Sequence, residues 1–284
     1  MRSDYLIESE ELRDILRRDD LLIIDTRDAD VYERGHIPGA VNISDIFYYL
    51  CRSDNGGYPA MVAYFEKLFA QAGLRSENQV VVYEDAMDNG YGQSCRGWFL
   101  LNYLGHKNTR VLHGGFRAWR ARNMPVSTEK LKRAPSDFKA QVDPSMILTT
   151  EEMLQAVDDP SQVIVDVRDY AEWIGANSSP YGYDFCPRKG RIPGALWLEW
   201  YRLMRHKQGI PWYKSTEEIL GVLEQLEITT DTKVCLYCFK GARASNTMLA
   251  LRSAGIKNVR NYFMSWNEWS RNFSLPVEEG YPER

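Results

Sequence analysis

The sequence encodes an α/β protein made of two tandem domains, each a mainly parallel sheet flanked by helices. Three observations lead there. Short apolar, β-rich runs alternate with longer segments whose apolar residues recur at helical spacing, the pattern of parallel strands covered on both faces. Motifs of the first half return in the same order in the second, the mark of an internal repeat. The 284 residues are long for one core and comfortable for two domains of about 140 residues each.

Taken in order, 9–16 and 61–70 read as helices and 22–25 and 80–83 as strands of the first half. The Pro-containing stretch 124–144, with Lys130, Lys132 and Arg133, has no clear period and reads as a linker along the surface. Its core, 127–144, separates a first domain at 1–126 from a second at 145–284. In the second half, 163–166 and 234–237 read as strands and 244–254 as a helix. Thr150-x-x-Met153-Leu154-x-x-Val157 and Thr216-x-x-Ile219-Leu220-x-x-Leu223 have helical spacing, with Thr150 and Thr216 as the expected N-caps.

The repeat is carried by several motifs. Ile24-Asp25-Thr26-Arg27-Asp28 returns as Val165-Asp166-Val167-Arg168-Asp169, and Gly35-His36-Ile37-Pro38-Gly39-Ala40 as Gly190-Arg191-Ile192-Pro193-Gly194-Ala195. Val81-Val82-Tyr83 matches Cys235-Leu236-Tyr237, and Phe116 and Trp119 match Trp266 and Trp269. The wider spacing between the first two motifs of the second half marks an insertion around Gly175 to Phe185. It is rich in turn formers and aromatics and reads as a surface loop, with a lid over a cleft as the alternative. The tryptophans read as core and interdomain packing.

Composition excludes several classes. A net charge of −4 without a basic tail or basic helix argues against nucleic-acid or membrane-surface partners. The N-terminus opens into mixed polar sequence with no apolar signal core, and the aliphatic run 21–24 is far too short to cross a bilayer. Five cysteines at irregular spacing do not make a disulfide framework, so a reducing, cytoplasmic location is expected. Scattered histidines and cysteines without ligand spacing predict no metal site, and no phosphate-loop or dinucleotide fingerprint predicts a cofactor.

The informative segment is Cys238-Phe239-Lys240-Gly241-Ala242-Arg243. It lies between the strand ending at Tyr237 and the following helix, where loop amides and the helix's positive end favour a thiolate. Gly241 allows the backbone to turn its N–H groups inward, and Lys240 and Arg243 add two cations. Cys235 lies within the strand and reads as an inert core thiol, as Cys51, Cys95 and Cys186 read as packing. Three chemistries compete here. A Cys235-x-x-Cys238 redox pair would place its first cysteine past the strand end and its second in the helix. A cysteine phosphatase loop has one more residue between cysteine and arginine than this one. A single transferable sulfur fits the smaller loop better.

With these residues in view, the chain resembles the tandem-domain rhodaneses, thiosulfate and 3-mercaptopyruvate sulfurtransferases, over nearly its whole length. The Asp-x-Arg strand ends, the Gly-(His/Arg)-Ile-Pro-Gly-Ala turns, Cys238-x-x-Gly241-x-Arg243 and Gly114-Gly115-Phe116-x-x-Trp119 carry the resemblance. It implies a catalytic C-terminal domain and a silent N-terminal copy, in keeping with Glu84 at the position equivalent to Cys238. It also implies double displacement: Cys238 takes the outer sulfur of thiosulfate as a persulfide and passes it to cyanide or a thiol. The loop residues Phe239 to Ala242 would cradle the sulfur, and Lys240, Gly241 and Arg243 would bind the donor. An arginine before the glycine turn reaches the active site in such proteins, so Arg188, with Arg191 beside it, is expected there. Cys186 replaces the usual glutamate and Arg191 the common histidine. Solvated surface charge for the 188–191 cluster, and a structural ion pair for Arg243, are the competing readings. Lys240 favours thiosulfate over 3-mercaptopyruvate, the alternative donor; a non-enzymatic sulfur relay is the alternative outside catalysis.

Overall fold

The structure, a computed structural model, describes residues 4–281. They fall into two compact units. The first holds the chain up to Tyr49, Gly56–Asp143 and Met204–Tyr213; the second holds Leu50–Asn55, Pro144–Leu203 and the chain from Lys214 onward. The stretch 127–143 thus belongs with the first unit. It is tied down by backbone bonds, Ser136 N–H to Ala70 C=O, Gln141 N–H to Leu104 C=O and Asp143 N–H to Tyr103 C=O.

The first unit is built on strands β1 (Leu6–Ile7), β2 (Leu21–Asp25), β3 (Ala40–Asn42), β4 (Gln79–Tyr83) and β5 (Thr109–Leu112). They form one sheet in the order β1-β5-β4-β2-β3, parallel throughout. Helices α1 (Ser9–Ile15), α2 (Ala29–Arg34), α3 (Asp45–Tyr48), α4 (Gly57–Gln71), α5 (Gln93–Tyr103) and α6 (Gly115–Ala121) connect them. Every residue of β2 is buried, which is why its sequence is continuously apolar rather than alternating.

The second unit repeats the plan with α7 (Thr150–Val157), β6 (Gln162–Asp166), α8 (Tyr170–Trp173), β7 (Leu196–Trp197), α9 (Thr216–Glu224), β10 (Lys233–Tyr237), α10 (Ala242–Ser253), β11 (Val259–Asn261) and α11 (Ser265–Trp269). Its parallel sheet runs β11-β10-β6-β7. Where the first unit has β1, this one has a single parallel bridge, Ile147 to Asn261. The antiparallel hairpin β8 (Met204–Lys207) and β9 (Ile210–Tyr213) groups with the first unit, where the Tyr213 amide donates to His113 Nε2. Thr149 and Ser215, not Thr150 and Thr216, cap α7 and α9. Each sits three residues before a glutamate that closes a reciprocal capping box, and that pairing selects the earlier residue.

The repeated Asp-x-Arg motif is a structural device. In the second unit Arg168 and Asp166 form a fully buried pair, with Nη2 on Oδ2 at 2.6 Å. A further N–H of Arg168 reaches the Gly190 carbonyl at 2.7 Å. The Tyr237 hydroxyl donates to Asp166 at 2.6 Å and accepts the Ile192 amide at 3.1 Å. The first unit repeats each contact with Arg27, Asp25, Gly35, Tyr83 and Ile37. Each guanidinium also lies over the matching aromatic ring, Phe116 at 4.0 Å and Trp266 at 4.6 Å. Burial disfavours the Arg168 cation, but Asp166 outweighs that and keeps it charged. One ion pair thus fastens a strand end, the glycine turn and the last helix of each unit.

Removing one partner from such a pair leaves a buried charge uncompensated. Asp166→Asn is expected to lower unfolding stability by about 3–5 kcal/mol, read by chemical denaturation, whereas a loss below about 1 kcal/mol would mean the pair does not hold the unit together.

Candidate active site

Cys238 follows β10 directly and is 1% exposed. Gly241, at φ +85°, is the N-cap of α10 and donates its N–H to Cys238 Sγ at 3.1 Å. A Cβ there would stand 2.6 Å from the Phe263 ring and 2.8 Å from its carbonyl oxygen, so only glycine can turn this amide onto the sulfur. The Gly241 carbonyl is held in turn by Ser245 Oγ at 2.6 Å and Asn261 Nδ2 at 3.2 Å. Ala242 and Arg243 already belong to α10, so the loop is shorter than the sequence motif and the helix N-terminus faces the thiol.

Ser265 supports the sulfur from α11. It is fully buried and left-handed at φ +56°, a costly conformation for a non-glycine residue. Its hydroxyl donates to the Tyr262 carbonyl at 2.7 Å, accepts the Cys238 amide at 3.1 Å and lies 4.0 Å from Sγ. The repeat offers the signal that finds it: Gly115, at the matching position, is also left-handed, at φ +65°.

Arg243 turns to Glu172 rather than standing open to a ligand. The two are buried and bidentate, at 2.6 and 3.0 Å, with Asp169 at 3.3 Å. Burial works against the Arg243 cation, but the Glu172 carboxylate more than offsets it, and the arginine stays charged within electrostatic reach of Cys238. Asp169, on the same turn, is pushed up by burial. Lys240 is buried with the loop, its Nζ 5.2 Å from the Tyr181 ring centre. Cys235 points to Gln162 Oε1 at 3.2 Å, and burial pushes its thiol up to about 11.

The insertion is a built structure. Ser178 and Ser179 pin its turn through the Tyr183 and Gly182 carbonyls and the amides of Cys186 and Tyr181. It lays Tyr181 and Phe185 edge-on against Phe239, with ring centres at 5.2 and 5.7 Å. Phe239 is 2% exposed under them, whereas Tyr181 and Phe185 are 48% and 43% exposed. Arg188, expected at the substrate, gives its guanidinium to four backbone carbonyls, of Trp269, Ser270, Asn272 and Leu275, at 2.6–2.9 Å. Arg191 is buried, bonded to the Gly280 carbonyl and paired with Glu278. Its backbone also bridges Glu278, as His36 bridges Ser127 in the first unit. Both arginines are committed to the C-terminal tail, Arg188 through backbone carbonyls and Arg191 through the Gly280 carbonyl and the Glu278 carboxylate.

The first unit has Glu84 at the position of Cys238, on a longer loop between β4 and α5. Its Glu84 carbonyl accepts the Phe116 amide as that of Cys238 accepts the Trp266 amide. The fully buried Glu84 carboxyl fills the cradle itself, taking Ser94 Oγ at 2.5 Å and the amides of Gln93 and Ser94 at 3.2 Å. Cys95, set opposite Ser245 by the repeat, is buried against the Tyr213 hydroxyl at 3.4 Å. Where the second unit pairs Arg243 with Glu172, the first has Gln93 and Val31.

Burial pushes Glu84 up to about 7, so the folded protein binds a proton there that the unfolded chain releases. Stability from this group is therefore full below the unfolded carboxyl range and lost as pH rises to about 7. The expected loss is about 3 kcal/mol between pH 4.5 and 7, and Glu84→Gln should abolish that slope in denaturation curves; an unchanged slope would place the titration elsewhere.

Known proteins agree with this architecture. The rhodanese-like domain model matches twice, over residues 8–122 and 149–272. A thiosulfate sulfurtransferase of Azotobacter vinelandii is 29% identical over 96% of both chains. A 3-mercaptopyruvate sulfurtransferase of Mus musculus is 30% identical over 84% of this chain and 78% of its own. The sulfur carrier protein TtuD of Thermus thermophilus is 29% identical over 88% and 87%. In fold, the chain is similar to the anaerobic ergothioneine biosynthesis enzyme of Chlorobium limicola, with TM-score 0.85 and 22% identity over 98% of this chain and 71% of that one. Two matched domains and sulfurtransferase relatives at this identity leave one family: the chain belongs to the rhodanese-like proteins, as a tandem-domain member of the sulfurtransferase group.

Proposed function

We propose that the protein is a thiosulfate sulfurtransferase working through a persulfide on Cys238. The observation that carries this reading is the Gly241 amide aimed at Cys238 Sγ from the N-terminus of α10. In the first step the Cys238 thiolate attacks the outer sulfur of thiosulfate. A new S–S bond forms, the old one breaks, and sulfite leaves with the bonding pair. In the second step a thiolate or cyanide attacks the terminal sulfur and Cys238 departs as thiolate. Neither step needs an external oxidant. The loop amide and helix end stabilise the anionic sulfur in both states.

Donor binding falls to a smaller set of cations than the sequence suggests. Arg243 is neutralised by Glu172, and Arg188 and Arg191 serve the tail. Lys240, on the loop itself with its Nζ 5.2 Å from the Tyr181 ring centre, is the cation we assign to the donor. That shorter supply of positive charge favours one second reading, 3-mercaptopyruvate, a monoanion, as an additional donor.

Intact mass after brief exposure to thiosulfate without reductant should show a gain of one sulfur atom. That gain should be absent in Cys238→Ser and discharged by cyanide. Gain in Cys238→Ser, or none in the native protein with either donor, would remove the persulfide reading. Lys240→Met should raise the thiosulfate concentration for half-maximal loading by about tenfold, as expected for loss of one charged hydrogen-bond donor, with a smaller rise for 3-mercaptopyruvate. Equal effects on both donors would take Lys240 out of donor recognition.

A further inference from the structure

The insertion that covers Phe239 has no counterpart in the first unit, and the place it would fill is open there. Asp85 stands at the Phe239 position: its carbonyl accepts the Arg117 amide at 2.9 Å as that of Phe239 accepts the Asn267 amide at 3.0 Å. In the second unit this neighbourhood is closed by Tyr181 and Phe185 on Phe239 and by Arg188 on the Ser270 carbonyl. In the first it is a cavity of about 740 Å³ lined by Arg27, Arg34, Arg117 and Arg120, with Asp85 and Phe116 on its wall. That size is ordinary for a small-molecule site.

The repeat shows how specific the charge is. Arg27 has a counterpart, Arg168, and belongs to the fold. Arg117 and Arg120 correspond to Asn267 and Ser270, neutral residues of the second unit. Their positions on α6 therefore carry charge beyond what the fold requires. Acids offset part of it: Asp25 pairs with Arg27, Asp30 with Arg34, and Asp85 takes Arg117 Nε at 2.9 Å. The Asp85 contact uses Nε, leaving the Arg117 terminal nitrogens to other acceptors. Among the described residues Arg120 is in no ion pair, in a chain whose net charge is −4. Guanidinium groups along the wall of one cavity raise its positive potential and can match oxyanions bidentately. The rest of the wall, Val31, Ala121 and Val126, is apolar.

We propose that this cavity binds a small organic oxyanion, a phosphate or sulfonate on an apolar body, through Arg117 and Arg120. The site is separate from Cys238 and independent of the transfer chemistry. The test uses full-length protein with Cys238 alkylated, so that the reactive loop is blocked, titrated calorimetrically with phenyl phosphate and with benzenesulfonate. Saturable binding of either is expected, weakened about tenfold or more in Arg117→Ala/Arg120→Ala and in Arg120→Glu, since hydrogen bonds between charged partners are the strong ones. Both changes lie on exposed side chains, and an unchanged thermal midpoint confirms that the variants fold. Binding of phenyl phosphate alone would identify a phosphate site, and of benzenesulfonate alone a sulfonate site. No saturable binding of either probe, or equal affinity in the variants, would overturn the proposal.

Discussion

The buried pair between Arg243 and Glu172 is the contact on which the reactive loop rests. Arg243 is in the first turn of α10, and Glu172 is in α8, which follows the β6 strand end. Because α10 begins at the residue after Gly241, fixing its first turn fixes the amide that meets Cys238 Sγ. Asp166 and Arg168 hold the turn that leads into α8, so the two buried ion pairs share a neighbourhood. A buried pair of this kind adds little net stability over an apolar core, but it is costly to break. Its service here is position.

The internal repeat separates architecture from chemistry without any outside alignment. What both units keep, the Asp-Arg-Tyr triangle and the left-handed residue at the start of the last helix, builds the sheet end and its turns. What only the second keeps, Cys238 with the Arg243–Glu172 pair and the aromatic insertion, is where the proposed sulfur chemistry would sit. In the first unit the cradle for an anion persists and is occupied by the protein's own Glu84 carboxyl. An internal acid in that position fills the space and meets the amides that a sulfur anion would use.

Much of this was legible in the sequence. Continuous apolar runs gave the strands, the ordered return of motifs gave two units, and a cysteine followed by glycine between strand and helix located the loop whose Gly241 amide meets Cys238 Sγ. Side-chain roles that depend on distant partners were not legible. Arg188 resembles a substrate ligand in its motif but meets carbonyls some eighty positions later. Arg243 had two readings, donor cation and structural ion pair, and only folding places Glu172 beside it, 71 positions away. Ser265 carries no motif of its own, only its match to Gly115. The insertion read as an ordinary loop because nothing local shows that its rings land on Phe239.

The measurement that bears most directly on this account is the rate of Cys238 sulfur loading in Glu172→Gln, over a range of thiosulfate and 3-mercaptopyruvate concentrations. If the pair positions the loop, maximal loading should slow by about tenfold or more for both donors, as misplacement of a reacting group does, with the half-saturating concentrations little changed. Faster loading or tighter use of thiosulfate in Glu172→Gln would contradict the account, because it would show Arg243 to be a donor-binding cation that Glu172 merely restrains.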